Sequence, residues 1–131
     1  MADIPLLPTT LFEGTTGIYT FTLLSESGGA IPIGVLDTLT LTYYDVASGL
    51  IVNGRTSQNT LNANDVTVVT DVGPPAVTTV TWLLQPADTQ MIEPNLRHEY
   101  RVIQFRWSWE GGTRYGAYQV QFAVENMAFV V

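Results

Sequence analysis

The side chains able to do chemistry are few in this chain. His98 is the only histidine and cysteine is absent, so no serine–histidine or cysteine–histidine catalysis can draw on a second imidazole or a thiolate. His98 lies beside Glu99, but neighbouring residues of a strand point to opposite faces, so the two form no dyad. Glycoside hydrolysis would need two carboxyl groups about 5–10 Å apart across a cleft. Glu99, Glu110 and Asp88 have the right chemistry, yet nothing in their spacing sets any two across a cleft, and the expectation is solvated loop and edge carboxylates. Asp37, Asp45, Asp65 and Asp71 are scattered and lack the tight spacing of a calcium loop. Gly111-Gly112 falls in a hairpin turn rather than between strand and helix, so it is no phosphate cradle. No cofactor or metal is expected. Among the aromatic residues, Trp82 and Trp107 read as core, whereas Trp109 and Tyr115 lie near a turn and are the candidates for stacking on a ligand such as a sugar ring.

The elements that must position these residues are strands. In residues 97–126, Ile103, Phe105, Trp107 and Trp109, then Tyr118, Val120, Phe122 and Val124, recur with period two around Glu110-Gly111-Gly112-Thr113. A four-residue loop there pairs Trp109 with Arg114, Trp107 with Gly116, Phe105 with Tyr118 and Ile103 with Val120. Both apolar sets then share one face, and the Trp107 ring covers the bare backbone of Gly116. Arg114 opposite Trp109 makes a cation–π pair. Thr16 to Leu24 and Thr38 to Asp45 alternate in the same way, and Leu50-Ile51-Val52 completes a hairpin with the latter. Val66–Val72 and Val77–Leu84 form another hairpin around Gly73-Pro74-Pro75, in a register that sets Val68 against Trp82, Val66 against Leu84 and Thr70 against Val80. Pro86 to Ile92 is the one short helical connector. Asn53 to Asn64 is a polar loop that holds shape because asparagine accepts positive φ. The pattern predicts an all-β fold, an antiparallel immunoglobulin-like β-sandwich with one short helical connector, with a small barrel as the alternative. Residues 1–13, with Pro5 and Pro8, read as an extended N-terminal arm or edge strand, and residues 14–131 as a single sandwich domain.

Composition narrows the partners. Charged residues are 13% of the 131, the formal net charge is −7, and the basic residues are all arginine. About a quarter charged is usual for a soluble domain, so much of the surface is Thr, Asn, Gln, Ser and Gly, which can be covered by neighbours without desolvating many charges. So acidic a chain lacks the phosphate-neutralising charge for nucleic acid. The segment MADIPLLPTTLFEG has neither the basic n-region nor the apolar core of a signal peptide, and no apolar run approaches a membrane span. Cytoplasmic synthesis is the expectation.

Five segments carry a resemblance: Tyr43-Tyr44-Asp45, Gly49-Leu50-Ile51-Val52-Asn53-Gly54-Arg55, Gln58 to Asn64, Trp82-Leu83-Leu84-Gln85-Pro86-Ala87-Asp88 and Phe105-Arg106-Trp107-Ser108-Trp109. Together, over about Leu11 to Asn126, they resemble a group of small β-sandwich proteins from the structural gene blocks of tailed bacteriophages. The resemblance implies a non-enzymatic virion component, assembled in the host cytoplasm: a capsid decoration or cement protein, or a head-closure, neck or tail subunit. Its implied partners are other virion subunits, such as the major capsid protein or neck and tail proteins, and further copies of itself. It brings no catalytic residue. The expected assembly contacts are Ile4, Leu6 and Leu7 of the arm, Asn53, Arg55, Asn62 and Asn64 of the polar loop, and Phe129, Val130 and Val131 of the apolar tail. A carbohydrate-binding module on a virion surface, using Trp109 and Tyr115, is the alternative.

Overall fold

Period-two alternation of apolar and β-branched residues makes nearly every element of this chain a strand with one face to bury. A computed structural model describes residues 4–129. Its strands are β1 (Leu6–Phe12), β2 (Gly17–Thr22), β3 (Leu36–Asp45), β4 (Gln58–Asn59), β5 (Val66–Asp71), β6 (Val77–Leu84), β7 (His98–Trp109) and β8 (Arg114–Glu125). One sheet has the order β1-β8-β7-β3-β4 and the other β2-β6-β5. The result is an all-β sandwich, with inward Tyr19, Phe21, Leu23, Val80, Trp82 and Leu84 of the small sheet meeting Leu39, Leu41, Tyr43, Ile103, Phe105, Trp107, Val120 and Phe122 of the large one.

The β7–β8 hairpin has the expected register: Trp109 faces Arg114, Trp107 faces Gly116, Phe105 faces Tyr118 and Ile103 faces Val120. A Cβ built on Gly116 would lie 2.4 Å from Trp107 Nε1. Glycine is therefore required there by the indole lying on the backbone, not by a special φ.

Four features depart from the sequence expectation. The β5–β6 hairpin is slipped by two residues: Val68 pairs with Val80, Val66 with Trp82 and Thr70 with Thr78. A two-residue slip keeps every side chain on its face, so alternation cannot detect it. The turn decides, and pairing continues to Asp71 and Val77. The connector after β6 is only a 3-10 turn, Pro86–Asp88, one of three such turns among the described residues, with Ile33–Val35 and Met127–Phe129. Leu50-Ile51-Val52 reaches β3 through a single bridge, Ile51 to Tyr44. Finally, β1 pairs with β8 in parallel, so the sheets are not wholly antiparallel.

Candidate functional site

The residues expected to act divide into those the fold consumes and those it presents. Ile4, Leu6 and Leu7 belong to the first segment. Gln121 Nε2 donates to the Ile4 carbonyl at 3.0 Å, Leu6 is exposed on β1, and Leu7 packs against the core. Asn53, Asn62 and Asn64 all adopt positive φ, as the loop chemistry requires. All three residues are exposed, but their side chains are committed internally: Asn53 Nδ2 donates to Asp88 Oδ1, Val68 N donates to Asn62 Oδ1 and Asn64 Nδ2 donates to the Asn59 carbonyl. Phe129 ends the last 3-10 turn, while Val130 and Val131 lie outside the described residues.

Arg55 is not a contact residue. It is 2% exposed, and all five of its N–H groups are bonded within the chain. Nε and Nη2 fork onto the Asp88 carboxylate at 2.6 and 3.0 Å, Nη2 also meets Asp65, and Nη1 donates to Gln58 Oε1 and the Asn64 carbonyl. Its guanidinium lies 5.2 Å from the Trp82 ring centre. Desolvation pulls the Arg55 pKa down, but the hydrogen bonds and charges of Asp88 and Asp65 outweigh it and hold the value above that of a free arginine.

Arg55 is half of a larger buried network. Asp88, fully buried, also accepts from Gln85 N at 2.7 Å, which closes a capping box on the 3-10 turn. Its carbonyl accepts from the Tyr43 hydroxyl and from Arg101 Nη1. Arg101, fully buried as well, reaches Glu99 Oε1 and the Gln90 carbonyl through Nη2, both at 2.5 Å. Its Nε lies 3.5 Å from Asp45 Oδ1 without a hydrogen bond on either atom. Glu99 caps the Ile92 and Glu93 amides, and Asp45 holds the turn at Ser48 through its N and Oγ. Asp45, Asp88 and Glu99 are therefore not solvated edge carboxylates; each is buried beside a guanidinium and bonded to backbone amides or side chains. The network ties the 53–65 loop to the β6–β7 connection and to the end of β3. With every donor but Arg101 Nε bonded within the chain, and that one set beside Asp45, the network is a structural clamp.

This network was legible in one respect. Arg101 and Glu99 continue the inward parity of Ile103, Phe105 and Trp107, Asp45 continues that of Leu39, Leu41 and Tyr43, and Asp45 pairs directly with Arg101. Charges falling on the inward parity at one end of the core are the signal. Asp88 carried only the weaker cue of Gln-Pro-Ala-Asp, a cap on a short turn.

Trp109 is 4% exposed and Tyr115 75%, so the two do not form an exposed row of rings. Trp109 is covered because β3 flanks β7 as far as Leu36, its direct partner, and because the Arg114 guanidinium lies 5.5 Å from the ring centre. Arg114 in turn pairs with Glu26 and Glu110. Tyr115 stands on the outer face of the large sheet, which also carries the exposed Tyr100 further along β7. There Thr38, Thr40, Thr42, Gln104, Arg106, Ser108, Ala117, Gln119 and Gln121 face outward. Arg106 and Tyr115 border a shallow hollow floored by Gly116 and Ala117, and among the described residues no hydrogen bond or ion pair engages the Arg106 side chain.

The outer face of the small sheet carries even less charge. Its rows read Ile18–Leu83, then Thr20–Thr81–Thr67, then Thr22–Thr79–Val69, with Asp71 and Val77 at the far corner. Beside it, an apolar cleft of about 250 Å³ opens between β1 and β2, lined by Leu7, Leu11, Tyr19, Leu84, Ile103 and Phe122. Among the described residues no group of three or more histidine, aspartate or glutamate side chains converges as a metal site. Comparison of the chain with family models, curated proteins and solved structures gives no match.

Proposed function

We propose that this protein is a non-enzymatic structural subunit of a tailed-bacteriophage virion, acting through contacts between its sheet faces and neighbouring subunits. One observation carries the reading. Buried charges are held in an internal clamp, while the two broad outer faces are built mainly from threonine, glutamine, tyrosine and aliphatic residues around Arg106 and Asp71. Such faces can be covered without desolvating many charges. Tyr115 and Arg106 are of the residue types that carry most of the binding energy in protein interfaces. The resemblance of the Tyr43, Gly49, Trp82 and Phe105 segments to phage structural proteins supports the same reading. Strand order supports an immunoglobulin-like assignment: β2-β6-β5 follows the B-E-D order, and β8-β7-β3 the G-F-C order, of that sandwich.

Within the particle, a capsid decoration or cement role stands ahead of a neck or tail position. The proposed partners are the major capsid protein or neck and tail subunits. The purified chain, added to heads or tails of the phage that encodes it and imaged by negative stain, is expected to bind one of them at repeated positions. Tyr115→Ala combined with Arg106→Ala is expected to weaken that binding without unfolding the domain. Failure to bind either structure, together with absence of the chain from purified virions by mass spectrometry, would overturn the proposal.

A further inference from the structure

Sheet edges are open templates for pairing, and proteins that stay apart blunt them. This sandwich has four edges, and three are blunted. β4 is only two residues long, and Asn59, its last residue, has its carbonyl taken by Asn64 Nδ2. β1 contains Pro8, which has no N–H to offer. On β5 the outward amides of Val66 and Val68 donate to the Ala63 carbonyl and to Asn62 Oδ1, and Thr70 Oγ1 accepts from Ile33 N.

The fourth edge, β2, has none of these devices. Its sequence, Gly-Ile-Tyr-Thr-Phe-Thr, carries no charge and no proline. Antiparallel pairs alternate between bonded and non-bonded positions. Leu23 N donates to the Thr78 carbonyl in the same register, so Phe21, Tyr19 and Gly17 bond to β6. The backbone groups of Ile18, Thr20 and Thr22 therefore point away from β6. Among the described residues none of these three amides meets another group on that side. Ile18 is 71% exposed, and the apolar cleft opens beside this edge.

We infer that β2 is a self-association edge: it pairs antiparallel with β2 of a second copy across a two-fold axis through Thr20, joining the two small sheets into one six-stranded sheet. The strand is self-complementary in this register. Thr20 meets Thr20 of the second copy, and Ile18 meets Thr22, all at positions whose N–H and C=O groups face the axis. Tyr19 meets Phe21 at the closer, non-bonded sites, where aromatic cross-strand pairs gain most. Ile18, Tyr19 and Thr20 line the cleft together with Leu7 and Leu11, so the added strand covers its mouth. Despite a net charge of −7, β2 and the rows beside it hold no charge, and Asp71 lies on the far edge, so two copies meet without like-charge contact. The contact is isologous and closes on itself. It rests on edge geometry alone and stands or falls independently of a virion role.

The test is sedimentation of the full chain over a concentration series, with residue-resolved amide exchange. The mass is expected to rise from the 14.4 kDa of one chain to twice that value, while the Ile18, Thr20 and Thr22 amides become protected in step. Thr20→Glu and Thr20→Lys each set like charges face to face at the axis and are expected to weaken the dimer about fivefold or more. Mixing the two variants is expected to restore a mixed dimer. A mass of one chain at every concentration would overturn the inference. So would a dimer indifferent to both substitutions, or one whose Ile18, Thr20 and Thr22 amides exchange as fast as in the monomer. Protection of those amides only when other particle subunits are added would assign the edge to a foreign strand and equally overturn it. The exchange measurement needs no variant and decides the matter if a substituted chain fails to fold.

Discussion

Asp88→Asn keeps the shape of a fully buried side chain and removes its charge. In the parent protein the carboxylate accepts from Arg55 Nε at 2.6 Å, Arg55 Nη2 at 3.0 Å, Asn53 Nδ2 at 3.0 Å and Gln85 N at 2.7 Å. An amide supplies one acceptor oxygen and sets an NH₂ group among donors that had been satisfied. Removing one partner of a buried ion pair costs about 3–5 kcal/mol, because the other charge is left uncompensated. Arg55 keeps Asp65, at 2.9 Å but 40% exposed and hence screened by solvent, which places the loss near the lower bound, about 3 kcal/mol. For a chain of this size that lowers Tm by roughly 12 °C. Urea titration should show a lower midpoint at unchanged slope. Arg55→Met alone should cost a similar amount, whereas Arg55→Met with Asp88→Leu should recover much of the loss, since paired apolar replacement of a buried ion pair is often neutral. An Asp88→Asn protein within about 0.5 kcal/mol of the parent, or a double variant as unstable as the two single losses summed, would refute the clamp.

Gly116→Ala drives a methyl group into the Trp107 indole, with an ideal Cβ 2.4 Å from Nε1, and is expected to cost about 1–3 kcal/mol, with altered tryptophan fluorescence; an unchanged urea midpoint and spectrum would contradict the packing. Asn62→Ala removes the acceptor of the Val68 amide, and should cost about 1 kcal/mol and speed exchange at Val68, read by NMR. Burial raises the Tyr43 hydroxyl well above the ordinary tyrosine value, against the opposing pull of Arg101, and burial with the Tyr118 hydrogen bond raises Tyr19 in the same direction. Native tyrosines then keep protons that the unfolded chain loses above about pH 10, so stability is full below that pH. It falls as pH rises beyond it, by up to about 1.4 kcal/mol per pH unit for Tyr43, which denaturant midpoints across pH 8 to 12 would measure.

Alternation alone was enough to find the large strands and the β7–β8 register, because Trp107 over Gly116 and two apolar sets on one face admit a single solution. It could not place the β5–β6 pairing, since a slip of two residues leaves Val66, Val68, Val80 and Trp82 all inward. Buried charge was the larger blind spot. Glu99, Arg101 and Asp45 sit on the inward parity of their strands, but charged residues are read as solvated unless a partner is seen, and the partners here come from β3, β7 and the 53–65 and 86–92 segments. Trp109 continues the inward set, yet its place beside a turn makes it a candidate for exposure. Leu36, distant in sequence, covers it from β3, together with the cross-turn Arg114 that the hairpin register already sets opposite it.

The central claim is that the sparsely charged outer faces of this sandwich serve to be covered by neighbouring subunits. Side-chain footprinting of the chain within purified virions, against the free chain, tests it most directly. The account predicts strong protection of Tyr115 and of residues on at least one outer sheet face in the particle. A chain missing from the particle, or one whose Tyr115 and outer faces label equally in both states, would contradict it.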